Sequence, residues 1–131
     1  LHGETPLYQA SQEGYPEMVQ LLISHGASTE IITSEGQPPL QCATFFGHHN
    51  VVQHLIEGGS SINCTNKIGK TALHFAVARD NEYLVSELLN AGANPQIKDD
   101  DGQTPIEIAN KNKLEYIISL LALKTTPRNN K

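Results

Sequence analysis

The stretch Gly69-Lys70-Thr71-Ala72-Leu73-His74-Phe75-Ala76 decides the fold, because it is met again 33 residues away in both directions. Gly36-Gln37-Pro38-Pro39-Leu40-Gln41-Cys42-Ala43 precedes it, Gly102-Gln103-Thr104-Pro105-Ile106-Glu107-Ile108-Ala109 follows it, and Gly3-Glu4-Thr5-Pro6-Leu7-Tyr8-Gln9-Ala10 stands one step further back. Gly26, Gly59 and Gly92 keep the same step, as do Leu22, Leu55, Leu88 and Leu121. Several columns agreeing on one period identify an array of repeated units, each too small to bury its own apolar face. The length of 131 residues is one short of four such periods.

Local physics assigns elements within each period. Thr5, Thr71 and Thr104 are good helix N-caps, and Pro6 and Pro105 suit the first helical position, where a missing N–H costs nothing. A short helix therefore starts there and ends near Gly14 or Gly47. A second helix follows, with apolar residues at helical spacing: Val19, Leu22 and Ile23, then Val51, Val52, Leu55 and Ile56, then Leu84, Val85, Leu88 and Leu89. Gly26, Gly59 and Gly92 fall where such a helix needs a left-handed C-terminal residue. The small column Ala10, Ala43, Ala76 and Ala109 reads as the close-packing position between neighbouring first helices.

The 33-residue period and the Thr-Pro-Leu-His-x-Ala pattern resemble the ankyrin repeat along the whole chain. The resemblance implies an all-α solenoid of stacked helix-turn-helix units with short β-hairpin fingers, in one domain over residues 1–131. The units fall at 1–32, 33–65, 66–98 and 99–131, the last a C-terminal cap whose tail frays from about 125. The unit containing Leu1 starts at its second position and not on methionine, which implies upstream sequence. In the last helix, Tyr116 and Leu123 stand at positions that are solvent-facing in the first unit, so either the tail is expected to cover them or a partner to pack on them.

The array departs from its own pattern in informative places. Pro38 removes the capping hydroxyl of the second unit, a loss of about 1 kcal/mol. The motif histidine survives only as His74, so the hydrogen bond the family assigns to it is expected at His74 alone. Asp80 and Lys113 replace Gly14 and Gly47 between helices, which predicts strain or a different turn.

Composition excludes several functions. A net charge of −5 offers no clustered positive surface for nucleic acid or anionic membrane. The longest apolar run, Ile117 to Leu123, is too short to span a bilayer. Two cysteines, Cys42 and Cys64, point to a reducing compartment, cytoplasmic or nuclear. The charge is unevenly spread: the first two units carry six acidic residues and no Lys or Arg, the first basic side chain being Lys67. A partner with a basic segment is therefore expected.

No catalytic arrangement emerges. Cys42 shares a column with Gln9, Phe75 and Ile108 and reads as a buried thiol, and no histidine is placed beside Cys64. His48, His49 and His54 lack the second ligand pair of a zinc site. His54 is expected to pair with Glu87, its counterpart one unit on. No cofactor, metal or small-molecule substrate is expected, and the array is read as monomeric.

The resemblance implies that partners dock on the finger tips and the exposed face of the first helices, a concave strip. Mapped onto this chain, the strip includes Ile32, Glu35 and Gln37, the adjacent aromatics Phe45 and Phe46, then Lys67, Ile68, Lys70 and Arg79, and finally Asp100 and Asp101. Two adjacent phenylalanines at a helix end cannot both turn inward, so at least one is read as a groove anchor. Asn63 lies at the finger position that asparaginyl hydroxylases modify in ankyrin-family proteins. The function implied is non-catalytic protein binding within a larger intracellular scaffold or regulator. The alternatives are the substrate-recognition segment of an enzyme such as a ubiquitin ligase or kinase, and a stand-alone effector.

Overall fold

The capping threonines act as their column predicts. In a computed structural model of the protein, which describes residues 5–34 and 36–125, Thr5 Oγ1 accepts the Tyr8 N–H at 3.0 Å and opens helix α1 (Pro6–Glu13). Pro38 offers no such acceptor, and α3 (Pro39–Phe45) begins uncapped. Thr71 and Thr104 do more than Thr5. Each accepts from the backbone three residues on, and the side chains of His74 and Glu107 accept from the threonine's own N–H at 3.0 Å, forming capping boxes at α5 (Ala72–Ala78) and α7 (Pro105–Lys111).

The second helices of the four pairs are α2 (Pro16–Ser24), α4 (His49–Glu57), α6 (Glu82–Asn90) and α8 (Glu115–Thr125). The turn into each uses one left-handed residue. Gly14 and Gly47 have φ of 81° and 74°, and Asp80 and Lys113 adopt 55° and 57° at the equivalent places. The geometry is thus kept and the strain accepted, since a side chain in this region is disfavoured. At Gly14 a Cβ would also lie 2.7 Å from the His48 ring, so this glycine is required twice over.

Packing runs along the stack. The first helices lie α1 on α3 on α5 on α7, and α2 lies on α4 as α6 does on α8. Ala43, Ala76 and Ala109 are fully buried between first helices, where a larger side chain would hold the backbones apart. Leu7, Leu40 and Leu73, with Leu55, Leu88 and Leu121, complete a continuous apolar core. At roughly 1.5–3 kcal/mol per buried large aliphatic side chain, this core and not helix propensity holds the short helices. Met18 belongs to the same register as Val51, Leu84 and Ile117, yet it is 46% exposed where those are 0–1%. It lines an open concavity of about 560 Å³ on the outer side of the first unit, with Pro6, Tyr15 and Leu22.

The fingers close as hydrogen-bonded turns, and no strand is formed among the described residues. In each, the backbone N–H of Thr33, Asn66 or Asp99 reaches the carbonyl four residues on (3.3, 2.9 and 2.9 Å). The side-chain oxygen of the same residue accepts the N–H of Gln37, Lys70 or Gln103 in return.

Candidate functional site

Phe45 and Phe46 close α3, and neither turns fully inward. Phe45 is 36% and Phe46 48% exposed. Their rings meet edge to face at 5.1 Å between centroids, and Phe45 makes a second edge-to-face contact at 5.9 Å with Phe75 of α5. The guanidinium carbon of Arg79, just past the end of α5, lies 4.7 Å above the Phe45 ring. Phe46 stacks on His48 at 6.1 Å, and His48 in turn donates from Nε2 to the Gln12 carbonyl at 2.9 Å. A line of rings thus runs from the second unit to the third, tied to the first through the Gln12 carbonyl, with a cation laid on it. Each aromatic pair contributes about 0.5–1.5 kcal/mol beyond its burial, which holds the exposed rings in fixed orientations.

The other strip residues fall into three groups. Ile32, Ile68 and Lys67 are exposed at the fingers, as are Asp100 and Asp101. Gln37 is half-buried, and Glu35 lies outside the described residues. Lys70 is the exception: its ammonium donates to Asp99 Oδ2 at 2.7 Å, and the Asp99 side chain is almost fully buried. A second Asp99 oxygen takes the N–H groups of Asp101 and Gln103. Burial opposes the Asp99 charge, but the Lys70 hydrogen bond and the backbone donors outweigh it and hold its pKa below the ordinary value. Lys70 is therefore a strut between two fingers and not a free surface cation.

The neighbouring histidine column corrects a second expectation. His74 Nδ1 accepts from Thr71, so the ring is the neutral tautomer with Nε2–H, which donates to the Gln103 carbonyl of the next unit at 2.9 Å. Burial pushes its pKa down, more strongly than the Gln103 carbonyl and the Asp99 charge raise it. This tie is not confined to His74. Gln41 donates from Nε2 to the Lys70 carbonyl at 2.9 Å, the position equivalent to Gln103, and also to the Cys64 carbonyl at 3.0 Å. A primary amide with two hydrogens replaces an imidazole in the same crossing.

Two further expectations resolve in the structure. His54 does not pair with Glu87; its Nδ1 faces Glu57, one turn away on the same helix, at 3.7 Å. The shorter i, i+3 route prevails over the crossing between units. Asn63 is exposed, and its amide bridges to the third unit, donating to the Gly92 carbonyl at 3.3 Å and accepting the Asn94 N–H at 2.7 Å. Glu30, one period earlier, accepts from Ser61 in the same way.

The thiols are shielded. Cys42 is buried, and the half-buried Cys64 has its pKa raised, first by burial and then by the Glu30 charge, which disfavours a reactive thiolate. Among the described residues no three His, Cys, Asp or Glu side chains gather as a metal site, and no helix is long and apolar enough to cross a membrane. Tyr116 and Leu123 are exposed on α8, and the tail beyond Thr125 lies outside the described residues. Phe75 and His48 were not read as members of the strip. Phe75 carried a signal, as the single aromatic in a column otherwise of Gln9, Cys42 and Ile108.

Comparison with curated proteins finds no match. The sequence profile described as "Ankyrin repeats (3 copies)" matches residues 1–66 and 45–130, together nearly the entire chain. Ankyrin repeats are in general protein–protein interaction modules. With the paired helices, the left-handed turns and the repeated Thr caps all in register with that profile, the chain belongs to the ankyrin-repeat family.

Proposed function

We propose that this array, with units at 1–32, 33–65, 66–98 and 99–131, is a non-catalytic module that binds a protein or peptide partner through its concave groove and finger tips. The observation that carries the reading is the line of rings through Phe45 and Phe46. Exposed aromatics held by their neighbours are the kind of rigid, desolvatable surface that dominates binding energy. Ile32, Gln37, Lys67, Ile68, Arg79, Asp100 and Asp101 supply the rim, and Glu35 is assigned to it by its place in the sequence alone. The array works as a monomer in the cytoplasm or nucleus, within a larger scaffold, regulator or enzyme whose partner it selects. Asn63, exposed between two units, is its site of hydroxylation, and incubation with an asparaginyl hydroxylase should add the mass of one oxygen.

The partner carries a basic segment over the first two units. Of their described acidic residues, Glu30 and Glu57 are engaged within the protein, while Glu13 and Glu17 stand exposed. Binding should weaken as salt is raised from low to physiological strength.

Capture of partners on wild type and on Phe45→Ala/Phe46→Ala tests the reading. Loss of the captured proteins from the double variant is expected, and identical partner sets would overturn the anchor.

A further inference from the structure

Arg79 is placed as a receptor for negative charge. Its guanidinium carbon lies over the Phe45 ring, 4.7 Å from the centroid, and among the described residues it takes part in neither ion pair, which are His54–Glu57 and Lys70–Asp99. No ion pair joins Arg79 to its sequence neighbour Asp80 among the described residues. A guanidinium held over a ring still has five N–H donors in a fixed fork, which can meet a carboxylate with two parallel bonds. Stacking also reduces the side-chain freedom that such a contact would otherwise have to remove. Of the other third-unit cations on the strip, Lys70 is already held by Asp99 and Lys67 is exposed at the finger, while Arg79 is the cation that lies over the Phe45 ring.

We propose that Arg79 determines the specificity of the groove by taking a side-chain carboxylate of the partner, while an apolar side chain of the same segment rests on Phe45 and Phe46. The inference rests on the anchor reading of those two rings. It refines the partner to a segment that is basic over the first two units, apolar at the phenylalanines and acidic at the third unit. The Phe45 ring lies 5.1 Å from the Phe46 ring and 4.7 Å from the guanidinium carbon, so the apolar rings and the cation lie within about 10 Å of one another. At roughly 3.3–3.6 Å per extended residue, the Asp or Glu falls about one to three residues from the apolar one.

A library of random peptides, displayed with both ends joined to the carrier, tests this on wild type, Phe45→Ala/Phe46→Ala, Arg79→Gln and Arg79→Lys. Wild type should enrich peptides with an apolar residue and an Asp or Glu at one fixed spacing. Selection on Arg79→Gln should keep the apolar position and lose the acidic one. A peptide selected on wild type should bind Arg79→Gln about ten- to a hundredfold more weakly, the scale of a charge-assisted hydrogen bond. Changing the peptide's Asp to Asn should then cost nothing more in that variant, and Arg79→Lys should fall between the two. If selected peptides need Phe45 and Phe46 but show no acidic position, or bind Arg79→Gln as well as wild type, the role of Arg79 is overturned and the anchor stands. If they bind the double phenylalanine variant unchanged, or nothing is enriched over an unrelated bait, the anchor reading itself fails.

Discussion

The second and third units share a backbone and a core but hold themselves together with different side chains. In the third, Thr71 and His74 form a capping box, and the same imidazole reaches forward to Gln103. In the second, Pro38 makes no cap, yet Gln41 reaches forward to the equivalent carbonyl of Lys70. Starting a helix and fastening one unit to the next are thus separable tasks. The first can be left undone at a cost of about 1 kcal/mol. The second is retained by both units, where each forward carbonyl takes a side-chain donor in addition to the backbone N–H of its own finger turn.

Substitutions at the two crossings measure the difference. His74→Ala removes the box, the forward bond and a fully buried ring together, and should destabilise by about 3–4 kcal/mol in urea unfolding. Gln41→Ala removes two donor bonds but no cap, and about 2 kcal/mol is expected. His74→Gln places the second unit's amide behind the third unit's Thr71 cap. It should keep the forward bond and the Thr71 hydroxyl cap, lose the return bond to the Thr71 N–H, and cost about 1 kcal/mol at pH 8. A cost as large as that of His74→Ala would show that amide and imidazole are not equivalent in this crossing.

The imidazole should also make the crossing at His74 pH-sensitive, whereas the amide of Gln41 does not titrate. The folded pKa of His74 lies below its ordinary 6.5, so the unfolded chain binds more protons in the interval beneath that value. Stability therefore holds above pH 6.5 and declines as the pH falls through it. In His74→Gln this part of the decline should vanish, which unfolding midpoints between pH 7.5 and 5.5 would reveal. Smallest of all, Pro38→Thr should stabilise by about 0.5–1 kcal/mol through a restored cap, and no gain would mean that the proline's rigidity already compensates.

Much of this was legible in the residues. The columns of Leu, Ala and Gly placed the helices, the core and the left-handed turns correctly, because those properties depend on spacing alone. Asp80 and Lys113 kept the glycine turn since the packing around them outweighs one strained residue. What spacing does not encode is the reach of a side chain. Gln41 was read as a lost histidine although its amide reaches the same carbonyl, and Lys70 was read as free although Asp99 waits one finger away. His54 and Glu87 are equivalent by register, but rotamers brought His54 to Glu57. The contacts of Phe45 with Phe75 and Arg79 likewise depend on how side chains from two units lean toward each other.

The forward ties have an evolutionary consequence. Gln41 to Lys70 and His74 to Gln103 each span 29 residues and always end in the following unit. Duplicating or deleting 33 residues within the array would rejoin every donor to an equivalent carbonyl, whereas a change of any other length would misalign all ties across the break. Lineages of such genes should vary by whole periods. A copied unit brings its own donor and its own carbonyl in the same register, so an array like this one can lengthen by copying without any new side chain being selected first.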